Sequence, residues 1–355
     1  MEQHPETDRP APPAPRAGRA RSLRSPAALT AGLIVLAAVL ALVALLSLWV
    51  GARDLPAATT WRLLWHPDAS DEALIVHGYR IPRVLLGTAV GVALGLSGAL
   101  TQALTRNPLG DPALLGVSMG ASTGVVVAIA FVGVSGYTGY VWFALLGAVT
   151  ASVAVYVIGT AGHGRAAPER LILVGAAFTA VLGAFNTGVL MLDPNAFDEF
   201  RFWNVGSLAG RYHDVLWPML PFVGAGVLLA LGLARPLNTL ALGDDLGIAL
   251  GARVARTRLL TALAVMLLCG AATAAAGPIA FVGLAVPHAA RILVGPDQRW
   301  VLAYSTLLAP ILLLASDIVG RLLGAPGELQ VGIVTAFLGA PVFIALCRRR
   351  RLVDP

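Results

Sequence analysis

The sequence predicts an all-α protein that crosses a membrane about ten times, and three observations carry that prediction. First, 57% of the 355 residues are hydrophobic and only 12% are charged, about half the charged share of a soluble domain. Second, the chain contains repeated apolar runs of about 20 residues, the length of helix that spans a bilayer. Third, it lacks the apolar–polar alternation over about ten residues that marks transmembrane β-strands. Because lipid offers the backbone no hydrogen-bond partners, helices are expected throughout.

The N-terminal segment differs from the rest of the chain. It is rich in proline, alanine and arginine and has almost no large apolar residue, a composition that predicts disorder. The apolar run after it is too long for a signal peptide, and no small-residue cleavage site follows, so the first span is expected to remain as an anchor. The predicted domains are a disordered cytoplasmic tail 1–26, a membrane domain 27–347 and an Arg-rich cytoplasmic tail 348–355.

Ten apolar segments of the membrane domain are predicted to span the bilayer, several of them short or kinked. Pro278 and Pro287 predict a kinked or partial span in the eighth. The segment 197–209 predicts a short helix lying at the membrane surface. The predicted spans are 28–50, 82–105, 113–132, 140–160, 170–191, 214–233, 257–275, 279–294, 300–321 and 330–347.

All 25 basic residues are arginine, and their distribution orients the chain. With ten spans, 18 arginines fall on the side of both termini and 7 on the other, so the positive-inside rule predicts cytoplasmic termini. The absence of lysine excludes a Walker A loop, so any ATP that drives this protein is hydrolysed by another subunit. The arginines lie at helix ends and in the tails rather than on an aromatic-interleaved patch, which argues against nucleic acid as a partner.

Six sequence blocks occur in order over roughly residues 28–347. They are RIPR (80–83), Q...RNPLGDPALLGVSMGA (102–121), LALGDDLGIALG (240–251), AGPIAFVGLAVPHAAR (276–291), SDIVGR (316–321) and ELQVGIVTAFLGAPVFI (328–344). On these blocks the chain resembles the permease subunits of iron-siderophore and vitamin B12 ABC importers, the FecCD type. The resemblance implies a type II ABC importer permease in a bacterial plasma membrane. It also implies a second permease subunit, identical or different, two cytoplasmic ATPase subunits that bind ATP and Mg, and an extracytoplasmic substrate-binding protein.

Arginines at the predicted outer mouth are the first site candidates. In the resembled family such arginines receive acidic residues of the binding protein, which assigns docking to Arg80, Arg83 and Arg321. Arginine suits the role because its planar fork pairs with carboxylates and never loses its charge. The alternative is that they are ordinary interfacial arginines. Asp317, one helical turn before Arg321, is expected to pair with it and fix its rotamer.

The break after the second span is the second candidate. Pro108 removes a backbone donor and pushes Asn107 out of helical geometry, so the exposed backbone must line protein or water. The resemblance places the cytoplasmic constriction here and makes Asn107, Pro108 and Leu109 the gate candidates; a plain interhelix turn is the alternative. Within the preceding span, a stripe of glycines indicates close helix packing or, alternatively, a wide pore wall. The stripe consists of Gly87, Gly91, Gly95 and Gly98.

The longest predicted cytoplasmic loop, 234–256, is the third candidate. Its central block resembles the family's coupling helices, which insert into a groove of the ATPase subunit. Apolar side chains suit such a groove, and the two aspartates suit a helix N-terminus, although the family commonly has a glutamate here and their ionic partner stays open. The alternative is a helix lying on lipid, against which two aspartates facing an anionic leaflet argue. The coupling candidates are Leu242, Gly243, Asp244, Asp245, Leu246, Gly247, Ile248, Leu250 and Gly251.

No set of histidine, cysteine and acidic residues has the spacing of a metal site. The sequence therefore predicts no metal, no cofactor on this chain and no catalytic residue. His288 is interpreted as structural, Cys269 and Cys347 as small core residues, and Gln330, where the family usually has proline, receives no function.

The predicted function is import of a metal chelate, with a ferric siderophore as the leading cargo by its frequency in the family. Cobalamin and haem stay open. The rival class, an ion-coupled secondary transporter, needs titratable groups near the middle of the membrane, and acidic residues are nearly absent from the predicted spans. A receptor without transport is the third possibility.

Overall fold

The computed structural model describes residues 25–51, 55–134, 137–160, 168–210, 213–325 and 327–350. The predicted tail 1–26 lies almost wholly outside these residues, and so does most of the tail 348–355. The described part is helical and contains no strand. Its α-helices are α1 (Pro26–Trp49), α2 (Ala57–Trp65), α3 (Asp71–Leu74), α4 (Ile81–Thr105), α5 (Val117–Val127), α6 (Tyr137–Thr160), α7 (Pro168–Leu192), α8 (Pro194–Asn204), α9 (His213–Ala241), α10 (Asp244–Ala249), α11 (Val254–Ala276), α12 (Val282–Val294), α13 (Gln298–Leu323) and α14 (Val331–Arg350).

Ten helices coincide with the ten predicted spans, and the predicted all-α fold is confirmed. In the described residues, seven helices are long and apolar enough to cross a membrane, judged by length and composition. Three shorter apolar helices complete the set: Val117–Val132, Val282–Val294 and Val331–Pro341. The first of these is α5 extended by a π-helical turn, Ala128–Val132. Short helices had been expected where proline and glycine interrupt the apolar runs.

Three element bounds differ from the prediction. The second span begins not near residue 82 but at Asp71, because α3 and the π-helical turn Ile75–Arg80 lead directly into α4. The predicted loop 234–256 is much shorter, because α9 continues through Pro236 to Ala241 and α11 begins at Val254. The helix predicted over 197–209 is observed as α8, which begins and ends earlier in the chain; Phe200 and Trp203 are buried, Phe197 and Phe202 are exposed, and its position at the membrane surface stays a prediction. The short amphipathic α2 was not predicted.

The helix α4 lies at the centre of the bundle and packs against α13, α11, α12 and α9. Its glycine stripe is the packing surface. A Cβ at Gly91 would lie 2.5 Å from the Cα of Pro310 in α13, and one at Gly95 would lie 2.7 Å from the backbone oxygen of Ser305. A Cβ at Gly98 would collide with the backbone oxygen of Gly283 in α12. The packing interpretation of the stripe is therefore confirmed at these positions, and it makes α4 and α13 one closely packed pair.

Replacing Gly91 by alanine should destabilise the subunit by about 1–3 kcal/mol, the usual cost of inserting a methyl group into a filled interface. The neighbour is backbone at Pro310, which cannot rotate away. The measurement is thermal unfolding in detergent. Gly224→Ala in α9 is the matched control, because its Cβ would meet nothing within 4 Å. Equal unfolding temperatures for the two variants would contradict the close α4–α13 contact.

Candidate functional site

A cluster of five charged side chains lies where α4 begins and α13 ends. We call it the arginine cluster: Arg80, Arg83, Asp317, Arg321 and Glu328. Arg83 connects both carboxylates. Its Nε and Nη2 donate to Asp317 at 3.0 and 2.7 Å, and its Nη1 donates to Glu328 at 2.8 Å. The cluster carries three positive and two negative charges, so it retains a net attraction for anions.

The other two arginines of the cluster hold the end of α1. Arg80 Nη1 donates to the backbone oxygens of Leu48 at 2.7 Å and Trp49 at 2.9 Å. Arg321 Nη1 donates to the backbone oxygen of Ser47 at 2.9 Å and to that of Val50, and Nη2 donates to Ser47 Oγ at 2.6 Å. The last carbonyls of a helix lack intrahelical partners and form the negative end of its dipole. These two guanidinium groups therefore act as a C-terminal cap.

This arrangement corrects the expectation of three arginines on a wet rim. Arg80 is 5% exposed and Arg321 is 4% exposed, whereas the Arg83 side chain is 14% exposed and lies beside Glu328, at 29%. The predicted pair of Asp317 and Arg321 is confirmed at 3.1 Å, but Asp317 also pairs with Arg83, which sequence reasoning missed. Docking of a partner at these arginines stays a prediction.

A cavity of about 280 Å³ opens beside the arginine cluster. Three guanidinium groups and one carboxylate contribute to its wall, together with the aromatic ring of Tyr79. Buried Arg80 and Arg321 are therefore in reach of a small group that enters the cavity. Its lining residues are Gly51, Ile75, Tyr79, Arg80, Arg83, Ala209, Gly210, Arg321 and Glu328.

The predicted gate segment forms a tight turn at the opposite end of α4. The helix ends at Arg106, which takes the left-handed conformation with φ 50°. Asn107 Oδ1 then accepts from the backbone N–H of Leu109 at 2.9 Å, and the Asn107 carbonyl accepts from Gly110 at 2.9 Å. Pro108 lies within this turn, half-buried like its two neighbours. The turn geometry is present, and a gating role stays a prediction.

The short helix α10 presents an apolar surface near this turn. The side chains of Leu242, Leu246, Ile248 and Leu250 are all more than half exposed, while Gly247 is buried. Gly243 and Gly251 bracket the helix with φ of 104° and 81°, a conformation that favours glycine. Four exposed large apolar residues on one short segment form a surface that suits either an apolar groove of a partner or the lipid.

Asp244, the first residue of α10, is paired within this chain. Its carboxylate accepts from Arg106 at the end of α4 and from Arg258 of α11 at 2.9 Å. Burial by itself raises the pKa of Asp244, but the hydrogen bond from Arg106 and the charges of Arg258 and Arg106 outweigh it, so the pKa lies below its ordinary value. The open question of its ionic partner is answered for Asp244 by two arginines of its own subunit.

The arginine cluster and α10 lie at opposite ends of α4. Arg83 is in the first turn of the helix and Arg106 ends it, a separation of about 35 Å at 1.5 Å per residue. The predicted docking residues and the predicted coupling residues are thus far enough apart to lie on the two faces of a membrane.

The remaining predicted features have structural surroundings. Cys269 is buried in the main hydrophobic core, as predicted; the side chain of Cys347 lies outside the described residues. Among the described residues no group of three histidine, cysteine or acidic side chains is placed to hold a metal ion. Of the functional residues that sequence reasoning missed, Glu328, Arg106 and Arg258, the first two stand inside the family blocks quoted above.

In the described residues, ten apolar helices of membrane length or shorter form a bundle, with a charged cluster at one end of the central helix and an exposed apolar helix near the other. This arrangement is typical of a membrane transport subunit. The chain belongs to the FecCD transport family, whose family model matches residues 39–349. This match confirms the resemblance that the six sequence blocks indicate.

Individual relatives cover most of the chain. It is 47% identical over 306 residues to the ferric enterobactin transport system permease protein FepD of Escherichia coli (strain K12), a match over 86% of this chain and 91% of that one. It is 37% identical to the probable siderophore transport system permease protein YfiZ of Bacillus subtilis (strain 168), over 82% and 89%. A solved chain, described as an inward-facing conformation of an ABC transporter assigned to the metal-chelate type, matches with a TM-score of 0.80 and 28% identity, over 90% and 99%.

Proposed function

The chain is an ABC importer permease of the metal-chelate class, and we propose that its cargo is a ferric siderophore. The single observation that carries this cargo is the 47% identity over 86% of the chain to a permease named for ferric enterobactin. Specificity within this class is expected to reside in the binding protein, so the permease itself needs only a passage that accommodates a whole chelate.

The geometry supports two separate functions at the two ends of α4, docking of the binding protein at one end and coupling to the ATPase subunits at the other. The loaded binding protein docks at the arginine cluster on the outer face, where guanidinium groups favour orientation and rapid association. Two ATPase subunits, which carry ATP and Mg, act on α10 at the inner face, where the exposed leucines and Ile248 enter an apolar groove. A second permease subunit completes the passage. Both termini then lie in the cytoplasm of a bacterial plasma membrane, and Asn107 to Leu109 contribute to the inner gate.

Uptake in whole cells tests the cargo. A strain that lacks the chain is given iron-55 as a catecholate, a hydroxamate or a citrate chelate, or as haem, and labelled cobalamin in parallel. We expect uptake of one ferric siderophore to fall at least tenfold and to return with the plasmid-borne chain. If only cobalamin uptake or only haem uptake is lost, that compound replaces a ferric siderophore as the proposed cargo.

The driving force is tested separately. A Walker A variant of the neighbouring ATPase subunit should abolish uptake in the same strain. Transport by the purified chain alone in vesicles with a proton gradient would overturn the importer assignment in favour of an ion-coupled transporter.

A further inference from the structure

The two carboxylates that hold Arg83 differ in their surroundings. Asp317 is 1% exposed and also pairs with Arg321, so it belongs to the buried framework of the cluster. Glu328 is 29% exposed and lies in the connection between α13 and α14. Both of its carboxylate oxygens accept from Nη1 of Arg83, at 3.1 and 2.8 Å. Glu328 is the more solvent-accessible of the two partners of Arg83, so its contact can exchange more readily than the buried Asp317 contact.

The connection that carries Glu328 is attached to the entry of the last span. The backbone N–H of Leu329 donates to the Gly320 carbonyl at 3.1 Å, and α14 begins two residues later. Gly332 in the first turn of α14 donates to the Gly206 carbonyl at 3.1 Å, and its Cα lies so close to Val205 that a Cβ would collide with that residue's carbonyl. The pair of Arg83 and Glu328 therefore ties the start of α14 to the start of α4.

We propose that Glu328 is an internal competitor for docking, an inference that rests on the proposed function. In the free subunit it occupies the edge of Arg83 that a carboxylate of the binding protein takes in the docked complex. A carboxylate is the fitting occupant because three guanidinium groups and only one carboxylate line the adjoining cavity of about 280 Å³. Exchange of one carboxylate for the other removes the ion pair between this connection and α4 and leaves its backbone hydrogen bonds to Gly320 and Gly206 in place. Docking at the surface thereby changes how the start of α14 is held.

The test measures the affinity of the purified cognate binding protein for the full importer in lipid nanodiscs. Glu328→Gln keeps the size of the side chain but removes the competing charge, so the dissociation constant should fall by about two- to fivefold, the range of a partly exposed ion pair. Arg83→Gln should raise the dissociation constant. In the double variant the gain from Glu328→Gln should disappear, because the contested guanidinium group is gone.

Two controls separate competition from other effects. Asp68→Asn removes one negative charge from the loop between α2 and α3, where Asp68 pairs with Arg62 instead of Arg83; it should leave the affinity unchanged. If Glu328→Gln lowers the unfolding temperature of the importer, Glu328→Asp serves in its place. The shorter side chain should give a smaller gain in affinity with the charge retained.

Each outcome has a distinct meaning. If Glu328→Gln leaves the affinity for the binding protein unchanged while Arg83→Gln weakens it, the competition is overturned. The docking role of Arg83 is then retained. Equal gains for Glu328→Gln and Asp68→Asn show a general field effect and also overturn it. No change in any variant overturns the docking role of Arg83, and with it this inference, while the uptake experiment still decides the proposed cargo.

Discussion

Asp317→Asn is expected to lower the free energy of unfolding of the subunit by about 3–5 kcal/mol, the cost of removing one partner from a buried ion pair. The substitution preserves size and one oxygen but deletes the charge that lies 2.7 Å from Arg83 and 3.1 Å from Arg321. The positive charges of Arg83 and Arg321 then repel each other, because the carboxylate that neutralised them is gone. Because Arg321 also caps α1, the loss should spread to the contact between α1 and α13.

The measurement is thermal unfolding of the purified importer, with the monodisperse fraction as a second readout. Asp198→Asn is the matched control: it removes an aspartate from a pair with Arg201 in which both side chains are more than half exposed, a class of pair that contributes little. A shift for Asp317→Asn no larger than for Asp198→Asn would show that the arginine cluster does not hold the fold together.

The same geometry changes what a double charge reversal of Arg80 and Arg83 would mean. If both arginines only received the binding protein, reversing both charges would weaken docking without unfolding the chain. The structure places Arg80 against the carbonyls of Leu48 and Trp49, where a glutamate would be repelled and the α1 cap lost. Arg83 lies at the edge of the cavity but also pairs with buried Asp317, so the affinity of an Arg83 variant must be measured together with its unfolding temperature.

Sequence reasoning succeeded where the cause is local. Apolar runs in the sequence located all ten apolar helices of the described residues, and seven of these are long and apolar enough to cross a membrane, which needs about 20 apolar residues wherever they occur. The pair of Asp317 and Arg321 followed from helical spacing alone. The end of α9 was misplaced at residue 233, whereas the helix continues through Pro236 to Ala241, because prolines are tolerated inside membrane helices when neighbouring groups satisfy the freed carbonyls.

The contacts that build the two candidate sites could not be found this way. Arg83 and Glu328 are 245 residues apart in the chain, and Arg106 and Asp244 are 138 apart. Such pairs arise only when several helices are packed, and single-sequence patterns carry no information about that packing. The glycine stripe was ambiguous for the same reason: spacing shows that one face of α4 is small, and only the position of Pro310 shows that the face is filled.

Charge reversal at Asp244, which pairs with Arg106 at the end of α4, should disable transport while leaving the fold intact. In Asp244→Arg, a third guanidinium group replaces the carboxylate between Arg106 and Arg258, so α10 loses its ties to α4 and α11 and is pushed outward. If α10 receives the ATPase subunit, we expect at least a tenfold loss of siderophore uptake. Arg258→Asp in the same chain should restore much of the uptake, because an ion pair forms again between the two positions with the charges exchanged.

The readout that isolates coupling is the stimulation of ATP hydrolysis by the loaded binding protein, compared with hydrolysis in its absence. Asp198→Arg, an exposed reversal on α8, should leave this ratio unchanged.

The ion pairs of Asp244 with Arg106 and Arg258 should also be insensitive to pH near neutrality. The pKa of Asp244 lies below its ordinary value, so the stabilisation is complete above about pH 4 and is lost only as the pH falls through the lowered pKa. Full stimulation in Asp244→Arg, or no rescue by Arg258→Asp, would remove Asp244 from the coupling path and leave α10 attached by other contacts.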